Sequence, residues 1–128
     1  MPPSFYRKVG VFFMVSWQNH FQQEIDSAVR ARQADNEGRA RVCARRAAGI
    51  VADVYLQMHG NPAPTHSVYD RLRQLHLMDE LSPKTKEMVS HFLERVNEDH
   101  RLPIEADLIQ EAVWLKEHLL SGKRILGG

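Results

Sequence analysis

The chain has 128 residues, 43% of them apolar and 26% charged, a balance that excludes a disordered segment and fits one globular domain. Its formal net charge of +1 excludes a strong overall attraction to anions, and its single cysteine, Cys43, excludes an internal disulfide and fits a cytoplasmic location. The longest apolar run, residues 9–17, covers about half of the roughly 20 residues that a membrane helix needs, so we expect no membrane segment.

The first two predicted helices lie on either side of a turn-forming stretch. Residues 15–33 carry apolar side chains every three or four positions, as one face of a helix does, and the Asp-Asn-Glu-Gly stretch at 35–38 ends the pattern. The second predicted helix covers 38–58, and its alanines would let neighbouring helices approach closely, so we expect it to be central. Its predicted buried residues are Ala40, Cys43, Ala44, Ala47, Ile50, Val51, Val54, Tyr55 and Met58.

Two shorter helices follow, each with a start signal. The third predicted helix covers 66–78, with Thr65 or Ser67 as its capping residue. A serine–proline pair at 82–83 then predicts the start of the fourth helix, at 83–97, because a hydroxyl can cap a helix and proline is favoured at its first position.

The fifth predicted helix covers 103–120 and opens at a proline. No segment shows the alternation of a strand, and the short connections favour antiparallel neighbours. The sequence therefore predicts an all-α fold, an up-and-down antiparallel bundle of four to five helices. We assign residues 15–121 to this bundle domain, with an N-terminal extension at 1–14 and a C-terminal tail at 122–128.

Metal and cofactor motifs are absent from the sequence. Glu87, His91 and Glu94 have helical spacing, but a di-metal bundle needs Glu-x-x-His twice and two further inward-facing glutamates. There is no glycine-rich phosphate loop, paired-cysteine motif or His-Glu-x-x-His motif. We therefore predict no metal site and no cofactor.

Arginines are concentrated around the second predicted helix, where six fall within seventeen residues. Four of them, Arg39, Arg41, Arg45 and Arg46, could follow the phosphates of a nucleic acid. No aromatic residue is interleaved with them for base stacking, and acidic residues are in excess after residue 46. The alternative to a contact with RNA is a charged face that pairs with the acidic second half or with water.

The order of these features is similar to that of a known family. Asn-Glu-Gly-Arg-Ala-Arg at 36–41 opens an Ala/Arg-rich second helix, and a third segment begins at His66. An Arg-x4-His pattern, from Arg95 to His100, separates the last two predicted helices. Across residues 18–120 this layout resembles the HEPN superfamily of small helical bundles.

The resemblance implies two kinds of activity. Active HEPN proteins are metal-independent ribonucleases, usually dimeric; by analogy His100 would be the general acid/base and Arg95 would stabilise the developing negative charge. Other members are inactive and bind partners or ligands. On a regular helix Arg95 and His100 would lie about 140° apart. In addition, Val96 occupies a position that is commonly polar in the family, and Glu98 and Asp99 would repel an RNA backbone.

These features favour a binding function over catalysis. The leading expectation is a non-catalytic, HEPN-like helical module that acts as a homodimer or with a small protein partner. A HEPN-type, toxin-like ribonuclease is the first alternative. A nucleic-acid-binding protein that uses the arginine-rich second helix is the second.

Overall fold

The computed structural model of the protein describes residues 3–95 and 106–121, with side chains from residue 16 onward within these ranges. The described residues form five helices and no strand, which confirms the all-α prediction. The helices pack as an up-and-down bundle. Their bounds are α1 (Pro3–Gln33), α2 (Glu37–Met58), α3 (Val68–His76), α4 (Pro83–Leu93) and α5 (Leu108–Leu119).

Helix α1 begins much earlier than the sequence pattern indicated. It starts at Pro3 rather than near residue 15. An apolar stripe reports which face of a helix is packed, whereas backbone hydrogen bonds can continue through a segment that has no stripe. Within the part of the chain that the structure describes, none of the helices combines the length and apolar character required to cross a membrane. The assignment of residues 1–14 as an extension outside the bundle domain stays a prediction.

The helix starts are set by side-chain caps. Asn36 accepts a hydrogen bond from the Arg39 amide at the start of α2. Ser67, one of the two predicted caps of α3, accepts from the amide of Asp70, and Ser82 caps α4. These caps satisfy backbone N–H groups that have no partner within their own helix. The predicted starts of α2 and α4 are therefore confirmed to within one residue.

The ends that face the α4–α5 connection differ from the prediction. Helix α4 ends at Leu93 rather than residue 97, because Glu94 has extended backbone angles, φ −70° and ψ 140°. Helix α5 begins at Leu108 rather than residue 103, since the Asp107 carboxylate caps it by accepting from the amides of Ile109 and Gln110. The proline at which this helix was predicted to open, residue 103, lies outside the described residues.

Helix α2 is the central element, as predicted, and it contacts α1, α3 and α5. Because neighbours surround it, its buried face is wider than a single stripe. Seven of the nine predicted residues are buried; Ile50 is only half-buried and Met58 is 41% exposed. At Gly49, helix α3 comes so close that an added Cβ would lie 3.1 Å from Val68 Cγ1. Further buried residues on this helix are Arg45, Ala48, Gly49, Ala52 and Leu56.

Arg32 links three elements at one end of the bundle. Its Nε donates to Glu37 Oε1 at 2.9 Å, and its Nη1 donates to the two carboxylate oxygens of Asp107 at 3.1 and 3.2 Å. The hydrogen bond from Arg32 lowers the pKa of Glu37 below its ordinary value of 4.5. This interaction therefore stabilises the fold above that pH and is lost as the pH falls through the lowered value.

We expect Asp107→Ala to destabilise the protein more than Asp107→Asn does. Asparagine keeps a capping oxygen for α5 and loses only the charge that pairs with Arg32, whereas alanine loses both. The lost cap should cost about 1 kcal/mol, and the half-exposed ion pair less than that. Urea unfolding measures both values, and equal values for the two variants would contradict the capping role.

Candidate functional site

Tyr69 of α3 is surrounded by guanidinium groups from three parts of the chain. The guanidinium carbon of Arg45 on α2 lies 5.3 Å from the centre of the tyrosine ring, that of Arg73 on α3 lies 5.9 Å away, and that of Arg95, after α4, lies 4.9 Å away. Each distance is within the roughly 6 Å over which a cation is attracted to a ring face. We name these four residues, together with Arg46, the arginine–tyrosine cluster.

Arg45 forms the buried base of the arginine–tyrosine cluster, with only 9% of its surface exposed. Its Nε donates to the Phe92 carbonyl oxygen at 2.9 Å, and its Nη2 donates to the Glu94 carbonyl oxygen at 3.4 Å. These carbonyls belong to the end of α4, where such groups lack helical partners. Arg45 therefore anchors the backbone directly before Arg95.

Positive charge is concentrated around Arg45. Burial lowers the pKa of Arg45; Tyr69 acts in the opposite direction, and the nearby charges of Arg41 and Arg95 lower it further. Among the described residues, Arg45, Arg46 and Arg95 form no ion pair with a carboxylate, whereas Arg73 is paired with Asp70 at 2.6 Å. The surroundings of Arg45 therefore favour the approach of a negatively charged group.

The cluster also has a concave surface. A cavity of about 260 Å³ is lined by Arg45, Arg46 and Tyr69, with Val42 and Val68 as its apolar walls. Arg46 and Arg95 are exposed and Tyr69 is half-buried, so both cations and part of the ring are accessible. The cavity can therefore receive a ligand that combines an anionic group with a flat, less polar one.

The four arginines predicted as a nucleic-acid contact do not form a single exposed row. Arg39 and Arg46 are exposed, Arg41 is half-buried, and Arg45 is buried. The row is interrupted because α2 is central and is buried on several sides. Arg45, on the flank that was expected to be polar, lies against the end of α4. Only Arg45 and Arg46 of the four line the cavity.

Of the two residues predicted for catalysis, Arg95 is described by the structure and His100 is not. Arg95 lies in the arginine–tyrosine cluster, on non-helical backbone beyond the end of α4. The helical geometry expected to separate it from His100 therefore does not apply. His100 itself lies outside the described residues, and a meeting of the two side chains stays a prediction.

Tyr69 is the site residue that sequence reasoning missed. Its position on the third predicted helix indicated no functional role, whereas the structure brings it against arginines of α2 and of the segment after α4. One signal was present in the sequence, because Tyr69 and Arg73 are four residues apart and share a helix face. The approach of Arg45 and Arg95 has no local sequence signal.

A second polar contact joins α4 to α5. The Nδ1 of His91 donates to Oε1 of Glu111, and both side chains are mostly buried. The acidic partner of His91 therefore comes from α5 and not from Glu87 or Glu94, the residues with helical spacing. Across the described ranges, no group of three potential metal-ligating side chains is found.

Comparison with known protein families, with curated proteins and with solved structures gives no match to this chain. The relationship to the HEPN superfamily rests on the sequence layout alone and stays a prediction.

Proposed function

We propose that this chain is a non-catalytic, HEPN-like helical binding module that recognises single-stranded RNA through its arginine–tyrosine cluster. The convergence of three guanidinium groups on Tyr69 from three separate elements is the observation that carries the proposal. It combines the leading expectation, a binding module, with the alternative of a nucleic-acid contact. Of the predicted row, Arg45 and Arg46 belong to the cluster, and Arg95 joins them from the segment after α4.

Electrostatics favours a phosphate-bearing partner. The charges of Arg41 and Arg95 repel that of Arg45, and no described carboxylate forms an ion pair with Arg45, Arg46 or Arg95. A phosphate group would offset this repulsion and accept paired hydrogen bonds from a planar guanidinium. We propose that an unpaired base stacks on the exposed part of the half-buried Tyr69 ring, next to these guanidinium groups, as bases do on aromatic rings in other single-strand-binding sites.

The chemistry of the arginine–tyrosine cluster favours binding over cleavage. Arginine stays protonated at neutral pH, so the arginines can hold and stabilise negative charge but cannot exchange protons with a substrate. The described cluster contains no histidine or carboxylate that could serve as a general base. Ribonuclease activity is the second candidate, because Arg95 of the Arg-x4-His motif belongs to the cluster.

We further propose that the module works in the cytoplasm as a homodimer or with a small protein partner. The layout that it resembles is usually dimeric.

We expect Arg46→Glu and Arg95→Glu each to weaken binding of a fluorescein-labelled twelve-nucleotide oligouridine by about tenfold or more, because each removes a phosphate contact and adds repulsion. Fluorescence anisotropy at several salt concentrations measures this loss, and each variant should reduce the salt slope by roughly 0.7. Arg30→Glu is the matched control, since Arg30 is exposed on α1 and outside the cluster. Tyr69→Leu should lose stacking, whereas Tyr69→Phe should keep it.

The outcomes are distinct. An equal effect of the control and the cluster variants would show that only overall charge matters and would reject the cluster as the site. Absence of binding by the unmodified protein at low salt would reject the proposed function itself.

A further inference from the structure

A second cavity, of about 280 Å³, lies where the end of α2, the start of α4 and the end of α5 meet. It shares no lining residue with the arginine–tyrosine cluster. Its volume equals that of about nine waters, near the lower limit for small-molecule sites. We name it the Trp–His cleft, and the residues that matter for its chemistry are Tyr55, Glu80, Lys84, Trp114, His118 and Leu119.

Aromatic rings form the walls of the Trp–His cleft. The indole of Trp114 is stacked on the imidazole of His118, with ring centres 3.7 Å apart and planes 18° apart. The Nδ1 of His118 lies 2.8 Å from the Trp114 carbonyl oxygen. Because a carbonyl only accepts, Nδ1 must carry the proton, and Nε2 of the neutral ring is left as an acceptor. Buried Tyr55 and Leu119 complete the less polar surface.

Two opposite charges border this aromatic cavity. Glu80 and Lys84 both line the Trp–His cleft, and both are exposed. Within the described ranges, neither side chain forms an ion pair or hydrogen bond. A carboxylate and an ammonium are therefore both available to a ligand that lies against the aromatic wall of the cleft.

We propose that the Trp–His cleft binds a free α-amino acid with an aromatic side chain. Lys84 pairs with the α-carboxylate, Glu80 pairs with the α-ammonium, and the ligand ring lies against Trp114. A free amino acid fits because it carries both charges on one carbon, next to an apolar group. A nucleotide fits poorly, since Glu80 repels phosphate, and an internal peptide segment lacks both backbone charges.

Isothermal titration calorimetry with L-phenylalanine, N-acetyl-L-phenylalanine and L-phenylalaninamide tests this proposal. We expect L-phenylalanine to bind and each analogue, which lacks one charge, to bind roughly two- to fivefold more weakly, because the pairing side chains are exposed. In Glu80→Gln, L-phenylalanine should lose its advantage over the N-acetyl analogue, which lacks the ammonium, but keep its advantage over the amide. In Lys84→Met, it should lose its advantage over the amide, which lacks the carboxylate, but keep its advantage over the N-acetyl analogue. Glu87→Gln is the matched control on α4, because Glu87 is exposed and lies outside the cleft.

The variants separate recognition from folding. Glu80 and Lys84 are exposed and form no described ion pair or hydrogen bond, so their substitution should leave the melting temperature nearly unchanged. Equal binding of the three compounds would overturn the charge recognition, and absence of heat with millimolar L-phenylalanine would overturn the site. Trp114→Leu should weaken all three compounds alike, and unchanged affinity in that variant would also contradict the proposal.

Discussion

Leu115→Asp is expected to prevent cooperative folding. Leu115 is fully buried on α5, within the core that this helix shares with α2. The substitution removes a buried apolar side chain, which alone costs about 2–5 kcal/mol when leucine is truncated, and adds a carboxylate with no partner. Since a domain of this size is stable by about 5–15 kcal/mol in total, the loss approaches the whole stability. Circular dichroism during thermal melting measures it.

Two variants calibrate this result. Gln110→Asp places the same carboxylate on an exposed position of α5 and should melt within a few degrees of the unmodified protein. Ile50→Asp should have an intermediate effect, because Ile50 is only half-buried. A Leu115→Asp variant that melts cooperatively at the unmodified temperature would show that α5 does not pack through this face.

Local chemistry explains which parts of the fold could be predicted. The caps Ser67 and Ser82 act within three residues of their own position, so their effect is visible in the sequence. The buried stripe of α5, with Leu108 and Ala112 four residues apart, is similarly a local pattern. The start of α5 was harder to predict, because a proline at 103 and an aspartate at 107 are both start signals. The sequence does not show which of them marks the start of the helix.

The arginine–tyrosine cluster could not be predicted because its contacts join distant parts of the chain. Arg45 is buried because its partners are backbone carbonyls, and the Phe92 carbonyl is 47 residues away. A charged residue in an Ala/Arg-rich helix is ordinarily assigned to the surface, since burial of a cation requires hydrogen bonds that the sequence does not show. Tyr69 gives no sequence signal of its distant contacts for a related reason, because a tyrosine next to apolar residues on a helix is ordinarily part of a core.

A metal-independent ribonuclease activity would be large enough to detect easily, and we expect none. General acid–base catalysis is worth roughly 10²–10⁴-fold in rate, so an active enzyme would cleave single-stranded RNA visibly in a gel assay with a chelator present. Of the two residues that define the Arg-x4-His motif, only His100 could exchange a proton, since Arg95 remains charged. Glu98 and Asp99 precede His100 directly in the sequence and oppose the approach of phosphate.

The assay needs variants that separate catalysis from contamination and from folding. Arg95 is exposed, so Arg95→Ala should stay folded, and His20→Ala is a matched histidine control at an exposed position of α1. Cleavage that persists equally in Arg95→Ala, His100→Ala and His20→Ala would come from a contaminating nuclease. Cleavage lost in the first two variants, with unchanged melting, and kept in His20→Ala would replace the binding function with catalysis. In that case the arginine–tyrosine cluster would hold the substrate and Arg95 would stabilise the charge that develops during the reaction.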